Sequence, residues 1–214
     1  MHRPDWPLTD LGLACGDVTL RPVRDADLDV LVDRLPDDFE HDPRAELLPW
    51  LDLAANRRRL LRQDVWRARG TWAPSSWRLD LTVSAQGRPV GVQTLETDDL
   101  AGIGTVDTTS WLVSDVRGRG YGVAMRRAVL GLAFDHLGAA AAVTSAREDN
   151  ASSLGVSRRI GYADNGVSLN ASGTGRVRLQ HLRLTAEQWH TSGQGRLVTV
   201  SGVERCLPWF GTPS

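Results

Sequence analysis

Apolar residues recur along this chain in two rhythms, and the switches between them divide it into elements. Val18 to Val23 reads as an extended stretch, after which Leu28, Leu31, Val32 and Leu35 fall at i, i+3, i+4 and i+7. That spacing predicts a helix with one apolar face and Asp25 as its N-cap. The turn-rich "PDDFEHDPR" interrupts it, and a helical pattern resumes over residues 45–69, with Leu47, Leu51, Ala54 and Ala55 in register and Pro49 marking a break or a first turn. From "WRLDLTVSAQGRPVGVQTLETDD" the alternation of Leu79, Leu81 and Val83 predicts a hairpin, turning at Ala85–Arg88 and returning over Pro89–Leu95. A third strand over Thr105–Val113 runs into "RGRGYG". A helix over about 121–137 follows, its apolar side carrying Met125, Val129, Leu132, Ala133 and His136, and Gly138 stops it. A short apolar strand, Ala140–Ser145, precedes a loop, a short helix and a glycine cap at Gly161; "RVRLQHLRLTAEQW" and "GRLVTVSG" supply further strands. One helix thus crosses over between two central strands, which the handedness rule makes parallel, within a mixed α/β chain.

Length and composition narrow this picture. At 214 residues the expectation is a single domain over 1–214, with a core over about 17–190 and a C-terminal strand and tail over 191–214. Hydrophobic content of 41% and charge of 24% are those of a globular chain, and no apolar run approaches the length of a membrane span. The opening "MHRPDWPLTD" lacks the apolar centre of a secretory signal, so a cytoplasmic location is expected. Cys15 and Cys206 show neither redox nor metal-ligand spacing, and no metal is expected. The net charge of −1 argues against nucleic acid as a main partner. All 25 Lys+Arg residues are arginine, a choice explained either by codon bias or by selection against an amine that could be acylated. Arg57, Arg58, Arg59 and Arg62 read as a solvated helix face or a phosphate-binding one, and the tryptophans from Trp50 to Trp77 as core or as the wall of a ligand pocket.

The segment "RGRGYG" carries the most chemistry. Where a strand ends and a helix begins, unpaired N–H groups and the helix dipole favour an anion. Gly118, Gly120 and Gly122 let the backbone curl into such a nest, and Arg117 and Arg119 add charge. A Walker loop is excluded because the chain contains no lysine. A dinucleotide fingerprint fits poorly, since the third glycine comes one position early and no acidic residue lies near residues 138–145. An acyl-CoA pyrophosphate or a plain flexible turn remains.

The neighbourhood favours the first. Arg117-x-x-Gly120-x-Gly122, placed after a strand and opening a long helix, resembles the Q/R-x-x-G-x-G/A pyrophosphate signature of the GCN5-related N-acetyltransferases, or GNAT family. "WLVSDVRGRGYGVAMRRAVLGLAFDHLG" and "AAAVTSAREDNASSLGVSRRIGY" look like its central strand, pyrophosphate helix, next strand, Asn-led turn and closing Gly-Tyr. "LRPVRDADLDVL" and "LRLTAEQW" are similar to the branch of RimJ/RimL-type ribosomal-protein N-terminal acetyltransferases.

The resemblance implies a mixed α+β fold: a central, mostly antiparallel sheet with one splayed parallel pair of strands, flanked by helices. It implies acetyl-CoA as acyl donor, its pyrophosphate on Arg117, Gly118, Arg119, Gly120, Tyr121, Gly122 and Val123, with Asn150 leading the next helix. Its pantetheine arm and acyl oxygen would meet Trp111, Leu112 and Val113, on a strand carrying a bulge. Asp107 stands where relatives place a glutamate base, and is one methylene shorter; it can equally end a strand or pair with an arginine. His41, His136 and His181 are other candidate bases, His136 lying on the apolar side of its helix. Ser157 replaces the tyrosine that relatives use as acid, and Ser153, at i, i+4 from it, matches a serine placed near the cofactor sulfur, or merely caps its helix. Asp37, Asp38, Glu40 and Asp42 in one loop, and Glu96, Asp98 and Asp99 in another, would draw a cationic amine such as a peptide N-terminus, a polyamine or an amino sugar, or are solvated turns. The expected activity is acetyl transfer to a primary amine of a peptide or small molecule by direct attack, in a monomer or homodimer. A non-catalytic CoA-binding module, and a transferase using a longer acyl-CoA or an aminoacyl-tRNA, are the alternatives.

Overall fold

The computed structural model describes residues 5–39, 41–42, 44–172 and 175–212. Nine strands form one sheet: β1 (Gly12–Cys15), β2 (Val18–Pro22), β3 (Ser76–Ala85), β4 (Arg88–Asp98), β5 (Thr105–Leu112), β6 (Ala141–Arg147), β7 (Ala163–Ser172), β8 (Gly175–Thr185) and β9 (Val198–Ser201). Their spatial order is β7-β8-β6-β5-β4-β3-β2-β1-β9. Every pairing is antiparallel except β5 with β6, which the crossover helix makes parallel, as the sequence order requires. The β3–β4 hairpin closes through Gln86 and Gly87, both at positive φ (51° and 75°), the two-residue turn whose twist matches the strands.

The helices are α1 (Asp25–Asp33), α2 (Leu53–Gly70), α3 (Leu100–Ile103), α4 (Tyr121–Gly131), α5 (Ala151–Ile160) and α6 (Ala186–Ser192). α1 and α2 pack against β4 and β3, while α4 packs against β1, β2, β4 and β9. Strand alternation puts these on opposite faces: Thr82 meets Asp27 of α1, whereas Ser110, on the other face, meets Arg126 of α4.

Several boundaries differ from those the pattern predicts. The N-cap of α1 is Arg24; Asp27, three residues on, turns its carboxylate back to the Arg24 N–H (2.8 Å) and so does the capping expected of Asp25. The second helix starts only at Leu53, capped by Asp52, whose carboxylate accepts from Ala55 N (2.6 Å). Its buried face is Asn56, Leu60, Leu61, Val65 and Ala68, so Leu47 and Leu51 precede it as loop and Ala54 is exposed. The helix after the glycine turn becomes a π turn over Leu132–His136. The wider turn rotates the end of the helix, so Leu132, Ala133 and Phe134 stay buried but His136 emerges into solvent rather than lying on the apolar side. β6 runs to Arg147 rather than ending at Ser145.

The tail covers the domain's own surface. β9 pairs with β1, extending the sheet beyond the expected core, and Phe210 and Trp209 lie on Trp6, Trp72 and Trp77 with ring centroids 4.8 to 5.5 Å apart. The indole N–H groups of Trp72 and Trp77 donate to the carbonyls of Trp209 and Phe210 (2.9 and 3.3 Å). The tryptophan run therefore divides: Trp77 is core and Trp72 packs against it, while Trp50 and Trp66 are exposed.

Candidate active site

The chemistry-bearing segments meet where β5 and β6 part. The two strands pair only from Thr105↔Ala141 to Asp107↔Val143. Beyond Asp107 they diverge, β5 through Thr109–Leu112 and β6 through Ser145–Arg147. Hydroxyls close the crotch of this fork: Thr108 Oγ1 donates to Val143 O (3.3 Å) and Thr144 Oγ1 to Thr108 O (2.7 Å). On its other side β5 pairs with β4 in unbroken register from Gly91↔Leu112 to Glu96↔Asp107. The bulge implied by the resemblance is therefore absent from this ladder, and the strands part without one.

Register also sorts the three main-chain positions expected to face a cofactor. Val113 N donates to Val90 O (2.9 Å), so the alternation of an antiparallel ladder turns the main-chain groups of Val113 and Trp111 to β4 and those of Leu112 and Ser110 into the fork. Nothing in the sequence around Ser110 marks it out. Gly91 is required here: a Cβ on it would collide with Trp111 O.

At the mouth of the fork the chain passes through Ser114–Val116 into the glycine turn. Gly118 and Gly120 sit at φ 79° and 83°, with no heavy atom within 4 Å of where a Cβ would be, so the concave side of the turn is open. Its hydrogen bonds begin at Val123 N and Ala124 N, both to Gly120 O (3.1 Å). Among the described residues the N–H groups of Gly118, Arg119, Gly120, Tyr121 and Gly122 have no partner. Donors converging at a helix start form an anion seat. Tyr121 is buried, and Gly122 allows the close approach of α4 to Val156 of α5. The arginines are engaged. Arg119 donates to Asp115 O (3.3 Å), and Arg117 grips Asp38 with both guanidinium nitrogens (2.6 and 2.8 Å) while its Nε donates to Leu112 O (3.1 Å). Hydrogen bonding to Arg117 holds the Asp38 carboxyl below its ordinary range.

That ion pair ties the loop after α1 to the turn. Arg34 pairs with Asp115 (3.0 Å), Arg57 donates to Pro36 O and Phe39 O (2.6 and 2.7 Å), and the Phe39 ring meets Trp111 edge-on at 5.8 Å. Of the acidic positions expected in this loop, Asp37 and Asp38 are exposed, Asp42 bonds Arg44 N (2.8 Å), and Glu40 lies outside the described residues. His41 makes no hydrogen bond among the described residues.

The second acidic group is only partly a loop. Asp99 caps α3 through Gly102 N (3.0 Å) and Asp98 accepts from Ser76 (2.6 Å), but Glu96 is inside β4, directly between Arg78 of β3 and Asp107 of β5. Side chains at directly opposed positions share a sheet face, so two carboxylates and a guanidinium lie in one row. Arg78 Nε is 3.1 Å from Asp80 Oδ1 and 3.9 Å from Glu96 Oε2. Asp107 is in no ion pair among the described residues; its Oδ1 accepts from Thr108 N (2.6 Å). Burial pushes the Asp107 carboxyl above its ordinary value, while the Thr108 N–H and the positive charge of Arg126 and of a protonated His181 pull it back. Burial likewise raises Glu96, against Arg78 and with Asp107, Asp80 and Asp98.

α5 flanks the fork's open end. Asn150 caps it, its Oδ1 accepting from Ser153 N (3.0 Å). Ser153 is half-buried, but Ser157, with 1% exposure, donates its hydroxyl to Ser153 O (3.2 Å). An acid must reach solvent or substrate, and Ser157 in this position reaches neither. His181 bonds Ser168 (2.8 Å) on the β7–β8 hairpin. Both cysteines are buried; burial lifts the Cys15 thiol, and burial with Asp10 and Glu204 pushes Cys206 up to about 11, so neither offers a thiolate at neutral pH. No group of three or more metal-ligating side chains occurs among the described residues, and no helix among them is long and apolar enough to cross a membrane.

Comparison with known proteins agrees with this geometry. The RimJ protein of Mycobacterium smegmatis, solved in complex with CoA-disulfide, superposes with a TM-score of 0.68 at 20% identity, covering 91% of this chain and 98% of its own. A GCN5-related N-acetyltransferase from Brucella melitensis gives 0.64 at 16% identity, covering 84% and 80%. A chimera of the spermidine N-acetyltransferase SpeG from Vibrio cholerae and hSSAT gives 0.63 at 12% identity, covering 82% and 99%. These likenesses establish the fold. The family model for the acetyltransferase (GNAT) domain matches residues 17–163, more than half the sequence, and the chain belongs to the GNAT acetyltransferase family.

Proposed function

We propose that the protein transfers an acetyl group from acetyl-CoA to a primary amine by direct attack within a ternary complex. The observation that carries this reading is the β5–β6 fork, with the main-chain groups of Ser110 and the N–H of Leu112 turned into it, opening onto a glycine turn whose N–H groups lack partners among the described residues. The turn from Gly118 to Gly122 would hold the pyrophosphate, Val123 being occupied by Gly120 O, with Arg117 reaching it on release from Asp38. Ser110 and Leu112 would bond the pantetheine arm and acyl oxygen through their main chain. Bound acetyl-CoA supplies an activated thioester carbonyl.

The chain's own residues do the rest. Asp107, at the point where the fork opens, accepts a proton from the attacking ammonium, directly or through a water because its side chain is short. The neutral amine so formed bonds the carbonyl carbon, the C–S bond breaks with its electron pair leaving on sulfur, and the nitrogen's second surplus proton passes to water or to the departing thiolate. Ser153, half-buried on α5, stabilises that thiolate by donating a hydrogen bond; Ser157 does not. Asp38 and Glu96 favour a cationic acceptor, a peptide N-terminus or a small amine. Buried, protonated thiols support direct attack over an acyl-cysteine route.

The test is release of CoA thiol from acetyl-CoA across a panel of peptide and small amines. Turnover on at least one amine, falling 100-fold or more in Asp107→Ala, is expected for a general base. Tight CoA binding with no turnover on any amine would overturn the reading in favour of a binding module.

A further inference from the structure

Two charged groups act on Asp107, and the proton transfer above gives neither a part. On β4, Glu96 stands directly opposite it, with Arg78 on Glu96's far side shared with Asp80. On α4, Arg126 is 2% exposed and forms no ion pair among the described residues. Its partners are two neutral hydroxyls, one from each arm of the fork: Nη1 donates to Thr144 Oγ1 of β6 (3.3 Å) and Nη2 to Ser110 Oγ of β5 (3.2 Å), while Nε has no partner. A cation so deeply buried is costly unless opposing charge faces it. Arg126 lies on the α4 face of the sheet and Asp107 on the face of α1 and α2, so the guanidinium acts on the carboxylate by its charge across the sheet rather than through a hydrogen-bonded relay.

We infer that Glu96 and Arg126 are opposing positioning residues for Asp107, the first crowding its carboxylate with like charge from β4, the second supporting it from α4 by its charge across the sheet. The inference rests on Asp107 being the base. Glu96 favours the protonated form of Asp107 and Arg126 the ionised form, so together they poise it to gain and lose a proton during turnover. The other groups that face this pair are Arg78 and Asp80 on β3, Asp98 at the end of β4, Tyr162 after α5 and His181 on β8. The Tyr162 hydroxyl is buried beside Arg126 and Thr108 and stays neutral, since burial raises it.

Two readouts test this on the full chain. The Asp107 carboxyl, followed by carbon-13 NMR as pH is varied, is expected to titrate about one pH unit lower in Glu96→Gln and about one unit higher in Arg126→Met, the size of one uncompensated charge at cross-strand distance. The acid limb of the kcat/KM profile should move the same two ways, and Arg126→Lys should restore it. If Arg126→Met does not fold, Arg126→Gln removes the same charge while still able to donate to Thr144 or Ser110, and should move the midpoint upward in the same way. A structural role predicts no opposed shifts. An Asp107 midpoint unmoved by Glu96→Gln, or moved in one direction by both changes, would overturn the inference. The NMR titration needs no substrate, so a protein that acetylates no amine would refute the proposed activity alone.

Discussion

Asp27 gives the clearest energetic prediction, because one carboxylate joins three elements. Only 6% exposed, it accepts from both Arg21 terminal nitrogens on β2 (2.6 and 2.7 Å), from the Arg24 N–H at the start of α1 (2.8 Å) and from Thr82 Oγ1 on β3 (3.0 Å). In Asp27→Ala the Arg21 guanidinium, 36% exposed, returns to water and loses little. The Arg24 N–H loses its cap at a cost of about 1 kcal/mol. The Thr82 hydroxyl is fully buried and is left without this partner, which costs about 2 kcal/mol. With the loss of the buried charge pair, the change should destabilise the fold by about 3–4 kcal/mol, a large share of a typical domain's stability. Urea unfolding followed by tryptophan fluorescence reads this directly. Burial alone would raise the Asp27 carboxyl, but Arg21, Arg24 N, Thr82 and the Arg21 charge together hold it below its ordinary value. A lowered carboxylate contributes its full stability above the unfolded value, near 3.9, and loses it as pH falls through the folded value. The gap between wild type and Asp27→Ala should therefore be full at pH 7 and narrow below about pH 4. A difference under about 1 kcal/mol at pH 7, or one that does not narrow with acid, would refute the reasoning.

Three further outcomes follow from particular contacts. Asp38→Asn releases Arg117 from an exposed pair worth about 1 kcal/mol or less, so CoA affinity measured by calorimetry should rise up to about fivefold at low salt and the gain should fade as salt is added; weaker binding would show that the ion pair shapes the turn instead. Asn56, 2% exposed, holds residues 48–52 through Leu48 N, Leu48 O, Leu51 O and Asp52 O (2.8 to 3.2 Å), so Asn56→Ala should lower stability by about 2–3 kcal/mol and speed proteolysis around Trp50, checked by melting and limited digestion. Cys15 and Cys206, buried and with raised thiol pKa values, should resist a thiol reagent at pH 7 until the chain unfolds; fast labelling of either would contradict their burial.

Local signals in this chain were legible where one element suffices to read them. The Leu28, Leu31 and Val32 stripe, the alternation of Leu79, Leu81 and Val83 and the glycine turn depend on neighbours within a few residues, and the parallel crossover follows from the order of elements and the handedness rule; all are found. Errors arose where a distant partner decided. The start of α2 depends on Asn56 and Asp52 tying down the preceding loop, and a π turn moves His136 from the apolar side into solvent. Asp107 was singled out by the resemblance, as the position where relatives carry a glutamate, whereas Glu96 read as part of an acidic loop.

The sequence by itself determined which segments carry chemistry, because a glycine nest and a helix start are local backbone properties. Only the tertiary structure decided which side chains face one another: β4 register sets Glu96 against Asp107, and the parting of β5 and β6 buries Arg126 between Ser110 and Thr144. Electrostatic environment depends on distances across strands, and those distances exist only once the sheet has formed.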